Sequence, residues 1–148
     1  MNWIIKKFNE LSSDELYEIL KLRSEVFVVE QECIYEDCDG KDKKSYHLFA
    51  EQNGEILVYL RILEKGVSYN EISIGRVLAN KRYRGRGFAK QMMIRAIEFI
   101  EHYLKENEIR ISGQEYLLDF YTSFGFVKVS ESYLEDDIPH IEMLYKNF

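Results

Sequence analysis

Between positions 80 and 89 the chain reads Asn80-Lys81-Arg82-Tyr83-Arg84-Gly85-Arg86-Gly87-Phe88-Ala89, with a helical pattern following directly. A helix start leaves backbone N–H groups without intrahelical partners and carries about half a positive charge. Glycine there lets the backbone approach a ligand closely, because no Cβ intervenes. Residues of these types in this order make a cradle for an anion, best suited to a pyrophosphate. Lys81, Arg82, Arg84 and Arg86 would serve further phosphates. The same residues are also consistent with a solvated loop capped by glycine. Neither phosphate motif with fixed spacing is present: there is no G-x-x-x-x-G-K-[ST], and Gly85 and Gly87 do not continue into G-x-G-x-x-G.

Charge sharpens the contrast. Residues 72–97 carry seven Lys or Arg and no acid, so the remainder holds 13 positive against 26 negative residues, within a net charge of -6. That balance argues against a protein that coats nucleic acid. The acids Glu32, Glu36, Asp37, Asp39 and Asp42, with Glu135, Asp136 and Asp137, would form either a negative mouth for a cationic amine or two solvated loops. Asp37, Asp39, Gly40 and Asp42 are arranged unlike a calcium loop: the glycine is fourth rather than sixth, and Leu48 stands where a closing glutamate belongs. Cys33 and Cys38 lack the spacing and partners of a zinc site and read as free thiols. No metal is expected. Nor is there an apolar run long enough for a signal peptide or a membrane span, so the expectation is a cytoplasmic protein.

The elements that must position these residues follow from pattern. With 148 residues, 46% hydrophobic and 14% aromatic, the chain suits one α/β domain over 1–148 with a real core. A strand is expected over 3–8. Ser12 and Glu15 form a capping box, and Leu16, Ile19, Leu20, Arg23 and Phe27 follow at helical spacing. An acidic loop covers about 30–45. Asn53-Gly54 between the apolar runs 47–51 and 56–63 is a strong hairpin signal. A strand over 71–79 leads into the basic turn, and a helix over 88–104 turns Ala89, Met92, Met93, Ala96, Ile100 and Leu104 inward. A strand over 109–113, a helix over 115–123 and strands over 124–130 and 140–146 complete the order.

Arg84-x-x-Gly87-x-Ala89, placed between a strand and a long helix, resembles the [Q/R]-x-x-G-x-[G/A] signature of the GNAT family of N-acetyltransferases. Phe120-Tyr121-x-x-x-Gly125-Phe126, about 35 residues on, resembles the family's second conserved region. Val26-Phe27-Val28-Val29-Glu30-Gln31, Asp39-Gly40, His47-Leu48-x-Ala50, Ile74-Gly75-Arg76-Val77 and Glu135-Asp136-x-Ile138-Pro139-His140-Ile141 are similar to the ElaA-type branch. That branch usually has Gly where this chain has Asp137.

The resemblance implies a GNAT acyl-CoA N-acyltransferase fold: a mixed, mostly antiparallel twisted sheet flanked by helices. It implies acetyl-CoA as cosubstrate and a primary amine as acceptor, on a small molecule or on a protein N-terminus or lysine. By position, the backbone of Arg84, Gly85, Arg86, Gly87, Phe88 and Ala89 would bind the pyrophosphate. Val77, Leu78 and Ala79 would pair with the pantetheine arm, the Ala79 N–H would serve the thioester carbonyl, and the Gln114 amide would contact the cofactor. Tyr121 would be the general acid that protonates the departing thiolate. An amine near pKa 10 is mostly protonated at pH 7, so a base is also required. Glu30, His47, Glu115 and His140 are candidates, with His140 and Glu30 foremost. Cys33 as an acyl carrier has no adjacent base in the sequence. The alternative function is a non-catalytic CoA or acyl-CoA sensor of the same fold, and a nucleic-acid patch is the weakest reading. The assembly is expected to be a monomer or a homodimer.

Overall fold

β3 (Glu55–Leu63) is apolar at nearly every position because both of its faces are covered. In the computed structural model, which describes residues 1–147, it is the third strand of an eight-stranded sheet. The order runs β1 (Asn2–Lys7), β2 (Ser45–Gln52), β3, β4 (Ile72–Ala79), β5 (Glu108–Gln114), β8 (Ile138–Lys146), β6 (Val127–Lys128), with β7 (Tyr133–Glu135) paired on β8. All pairs are antiparallel except β4 with β5. This is the mixed, mostly antiparallel arrangement expected from the sequence. Among the described residues no helix is long and apolar enough to cross a membrane.

One face of the sheet packs on α2 (Phe88–Glu98), where Met92, Met93, Ala96, Ile97 and Ile100 meet Val58, Leu60 and Ile62. The other face packs on α1 (Ser13–Arg23) through Ile19, Leu22, Val26, Phe49, Tyr59 and Leu78. The α1 capping box forms as expected: the Glu15 N–H donates to Ser12 Oγ at 3.0 Å, and the Ser12 N–H donates to the Glu15 carboxylate at 2.8 Å.

Both long helices depart from a simple period. α1 continues as a π-helical stretch, Ser24–Glu30, and α2 as another, Phe99–Tyr103. The wider turn shifts which residues face inward. Val26 is buried there where Phe27 is only half-buried, and Leu104 after the second stretch is half-buried; within the regular turns Leu22 is buried while Leu20 and Ala89 are half-buried. The strand expected over 124–130 shrinks to Val127–Lys128, because 124–126 closes the turn after α3 (Leu118–Thr122) and buries Phe126. β7 escaped the sequence reading.

β7 and β8 are joined by Asp136 and Asp137, both left-handed (φ 51° and 63°). Such a two-residue hairpin turn favours Asp-Gly, and glycine carries no Cβ penalty at positive φ. Asp137→Gly should therefore stabilise the protein by about 0.5 kcal/mol in urea denaturation. A loss of stability would show that the Asp137 side chain contributes more than its strain costs.

The sheet opens at its centre. Between the pairs Tyr59↔Leu78 and Arg61↔Gly75, Leu60 on β3 faces two residues of β4, Arg76 and Val77, which is a β-bulge. Arg76 sits in it at φ 52°. β4 then pairs with β5 only at Ile72↔Ile109 and Ser73↔Arg110, and the two strands part beyond that point.

Candidate active site

A cavity of about 600 Å³ occupies the gap between β4 and β5. Its walls bring together Glu30, Val77, Leu78, Ala79, Arg84, Gln114, Tyr121 and His140, residues spread over more than a hundred positions of sequence. Hydrogen bonding alternates along a strand, so direction can be read from one bond. The Asn80 N–H donates to the Leu57 carbonyl of β3 at 2.8 Å. The polar groups of Ala79 therefore point the other way, into the gap. Its carbonyl does accept from Arg84 Nε there, at 3.0 Å.

The basic turn closes one end of the gap. Gly85 and Gly87 are left-handed (φ 79° and 80°), and a Cβ at either would meet nothing within 4 Å. Glycine is needed there for the backbone angle and not to relieve crowding. Gly87 caps α2 without any side-chain acceptor, and the Gln91 N–H makes the first intrahelical bond back to it at 3.1 Å. The N–H groups of Phe88, Ala89 and Lys90 thus have no intrahelical acceptor, which fits a diphosphate. The cations of the turn are less available than a count suggests. Arg82 is paired with Glu55, Arg84 with Glu30, and Arg95 lies 4.8 Å over the Trp3 ring. Lys81 acts on the Glu30 carboxylate through space, and Arg86 lies over the Tyr83 ring.

Tyr121 is 4% exposed and lines the cavity, with Phe120 and Phe126 edge-on to its ring. Its hydroxyl has no hydrogen-bond partner among the described residues. Burial, then the nearby Tyr116, pushes the phenol well above its usual range, so it keeps its proton at neutral pH. Gly113 of β5 makes room for the ring: a Cβ there would lie 2.9 Å from Tyr121 Cε2 and 2.8 Å from Met143 Cε. The sequence reading missed this residue, although an isolated glycine in a strand signals close approach. Gly113→Ala should destabilise the fold by about 1–3 kcal/mol and displace the ring. Urea denaturation reports the stability and a crystal structure of the variant the ring position, and an unchanged midpoint would mean that the contact relaxes at no cost.

His140 is 8% exposed and faces the cavity. Its Nδ1 lies 2.7 Å from the Ile138 carbonyl and its Nε2 3.2 Å from the Glu135 carboxylate. Glu30 grips Arg84 with both oxygens, at 2.6 and 2.9 Å, and that contact holds its carboxyl below the usual range. Gln114 exchanges amide contacts with Gln31 at 3.3 and 3.4 Å. His47 is not at the cavity. It is fully buried, 2.7 Å from the Tyr59 hydroxyl and 2.9 Å from the Asp42 carbonyl, which makes it structural. Glu115 accepts from Ser132 Oγ at 2.8 Å and lines no part of the cavity. The Cys33 Sγ contacts the Asp136 carbonyl at 3.3 Å, and desolvation with Asp136 and Asp137 nearby raises its thiol, so it lacks the character of a nucleophile.

Within the acidic segments Asp37, Asp39 and Asp42 are paired with arginines, whereas Glu32, Glu36, Asp136 and Asp137 are exposed. Arg23 Nη1 donates to Asp42 at 2.7 Å and its Nε to Asp37 at 2.8 Å. Arg61 Nη1 donates to Asp39 at 2.8 Å and to Asp42 at 3.0 Å. Arg76 Nη2 donates to the Asp37 carbonyl at 3.0 Å and to Asp39 at 3.3 Å. Three acids meet three arginines from α1, β3 and the β4 bulge, so the loop clamps the strand distortion that opens the cavity.

A family model described as acetyltransferase (GNAT) domain matches residues 9–146. The sequence is 39% identical over 145 residues to Protein ElaA of Escherichia coli strain K12, covering 97% of this chain and 95% of that protein. The crystal structure of an acyl-CoA N-acyltransferase from Pseudomonas aeruginosa superposes with a TM-score of 0.92 at 41% identity, covering 98% of this chain and 99% of that one. That of Escherichia coli ElaA also superposes with a TM-score of 0.92, at 38% identity, covering 99% of this chain and 100% of that one.

Proposed function

Since the chain belongs to the GNAT acetyltransferase family and has the acyl-CoA N-acyltransferase fold, we propose that it transfers an acetyl group from acetyl-CoA to a primary amine by direct attack. One observation carries this reading: the open edge of β4, the uncapped start of α2, Tyr121 and His140 converge on a single gap. When bound, acetyl-CoA supplies an activated acetyl carbonyl and a thiolate leaving group. The N–H groups of Phe88, Ala89 and Lys90 hold its diphosphate, with Lys81, Arg86 and the Lys90 side chain close by. Val77, Leu78 and Ala79 receive the pantetheine arm as an added strand, with Gln114 facing it. The Ala79 N–H, fixed by β4, donates to the carbonyl oxygen as charge develops there, with no reorganisation.

The acceptor amine forms the new N–C bond as the C–S bond breaks. His140 takes one proton from the protonated amine, and the second N–H proton, lost as the amide forms, restores the one that Tyr121 gives to the sulfur. With Nδ1 donating to the Ile138 carbonyl, Nε2 offers the lone pair, and Glu135 steadies the imidazolium that results. Glu30, with both oxygens on Arg84 and its carboxyl lowered by that contact, is not assigned the base role. Tyr121 delivers its proton to the sulfur. A phenol is a weaker acid than a thiol in water, but the desolvation that raises Tyr121 also makes the nascent thiolate more basic. Because Tyr121 is raised, kcat should show no falling limb below about pH 10. A pH–rate profile that drops between pH 8 and 9 would point to another acid.

The test is thiol release from acetyl-CoA across small amines, polyamines, amino acids and a peptide with a free N-terminus, with product masses recorded. Amine-dependent release together with a mono-acetylated product is the expected result. CoA binding without such release would make the protein a sensor instead.

A further inference from the structure

Glu30 and Gln31 occupy the polar partners that the bound cofactor needs. Both guanidinium Nη atoms of Arg84 are taken by the Glu30 carboxylate, at 2.6 and 2.9 Å, while Arg84 Nε holds the Ala79 carbonyl on the open strand edge at 3.0 Å. One residue on, the Gln31 amide satisfies Gln114. A carboxylate on Arg84 and an amide on Gln114 copy, in kind, a phosphate and a pantetheine amide. The pair is only partly buried, at 38% and 36% side-chain exposure, so exchanging it for another anion is cheap. Of the other cavity carboxylates, Asp39 is held by Arg61 and Arg76 and Glu135 faces His140, while Asp136 has no such partner among the described residues but stands in the exposed β7–β8 turn.

We propose that Glu30 is an exchangeable counter-ion: the cofactor diphosphate takes over Arg84, and the freed Glu30 carboxylate binds the acceptor's ammonium group. Glu30 is then an acceptor-recognition residue, and the acceptor class is a cationic amine whose site becomes negative only after the cofactor is in place. This rests on the acetyl-CoA reading above. No covalent change is involved, only a change of partners among one guanidinium, one carboxylate, a diphosphate and an ammonium.

The test compares wild type with Glu30→Gln, using CoA as the titrant in calorimetry and the best amine of the panel in kinetics. Losing the competing carboxylate should tighten CoA binding about two- to fivefold, the range expected from an exposed ion pair. The amine KM should rise about tenfold while kcat at saturating amine stays within about threefold, a split that a merely structural role would not produce. Melting of the ligand-free proteins controls for folding. A wild type that binds CoA and turns over, beside a variant that binds CoA no tighter or keeps its amine KM, overturns the exchange alone. A wild type that binds no CoA overturns the acetyl-CoA reading and the exchange with it.

Discussion

Tyr121→Phe should lower kcat for amine-dependent thiol release by about 10²–10⁴-fold while leaving CoA affinity within about twofold. The substitution removes only the hydroxyl. The ring keeps its contacts with Phe120, Phe126 and the space left by Gly113, so the fold should be undisturbed. Because that hydroxyl has no hydrogen-bond partner among the described residues, its loss orphans no protein group. The effect should therefore fall on the chemical step. Steady-state kinetics with calorimetry separates the two, and an equal rate in the variant would remove Tyr121 from the mechanism.

Asp42→Asn should cost about 3–5 kcal/mol of stability, the usual penalty for breaking a buried charge network from one side. Asp42 is 8% exposed and accepts from two buried arginines, Arg23 and Arg61. Burial alone would raise the carboxyls of Asp39 and Asp42, but the arginines outweigh it, holding Asp39 well below the ordinary range and lowering Asp42. A carboxyl depressed in the folded state adds stability above its unfolded pKa of about 3.9, and that stability is lost as the pH falls through the folded value. His47, lowered chiefly by burial, follows the same sign from about pH 6.5 downward, because the unfolded chain takes up that proton first. Wild type should thus weaken gently below pH 6.5 and steeply below pH 4, and Asp42→Asn should show a shallower acid limb. Urea denaturation across pH checks both; a loss under 1 kcal/mol at pH 7 would mean that the network relaxes around the gap.

The local parts of this architecture can be read from the chain. Ser12 with Glu15 marks a helix start, Asn53-Gly54 a hairpin, and the cation- and glycine-rich turn ahead of Phe88 an anion site, because each depends on neighbours in sequence. The bulge at Arg76 does not, since a one-residue slip between strands is set by what the sheet packs against. The acids of residues 37–42 looked solvated because their partners stand 14 to 39 positions away. Arg23 within an otherwise apolar stripe was the one local hint of them. The π-helical ends of α1 and α2 break the 3.6 period beyond Arg23 and Glu98, where the pattern counts Phe27 and Leu104 inward. Among the base candidates, residue type alone could not separate His47, packed under the sheet against Tyr59, from His140 at the cavity.

The site itself is tested most directly by amide hydrogen exchange with and without acetyl-CoA. The parted β4 edge and the uncapped start of α2 predict new protection at Val77 to Ala79 and from Gly85 to Lys90, with β1 and β2 unchanged. Saturating acetyl-CoA that leaves both segments exchanging at their free rates would contradict the assignment of this gap as the acyl-CoA site.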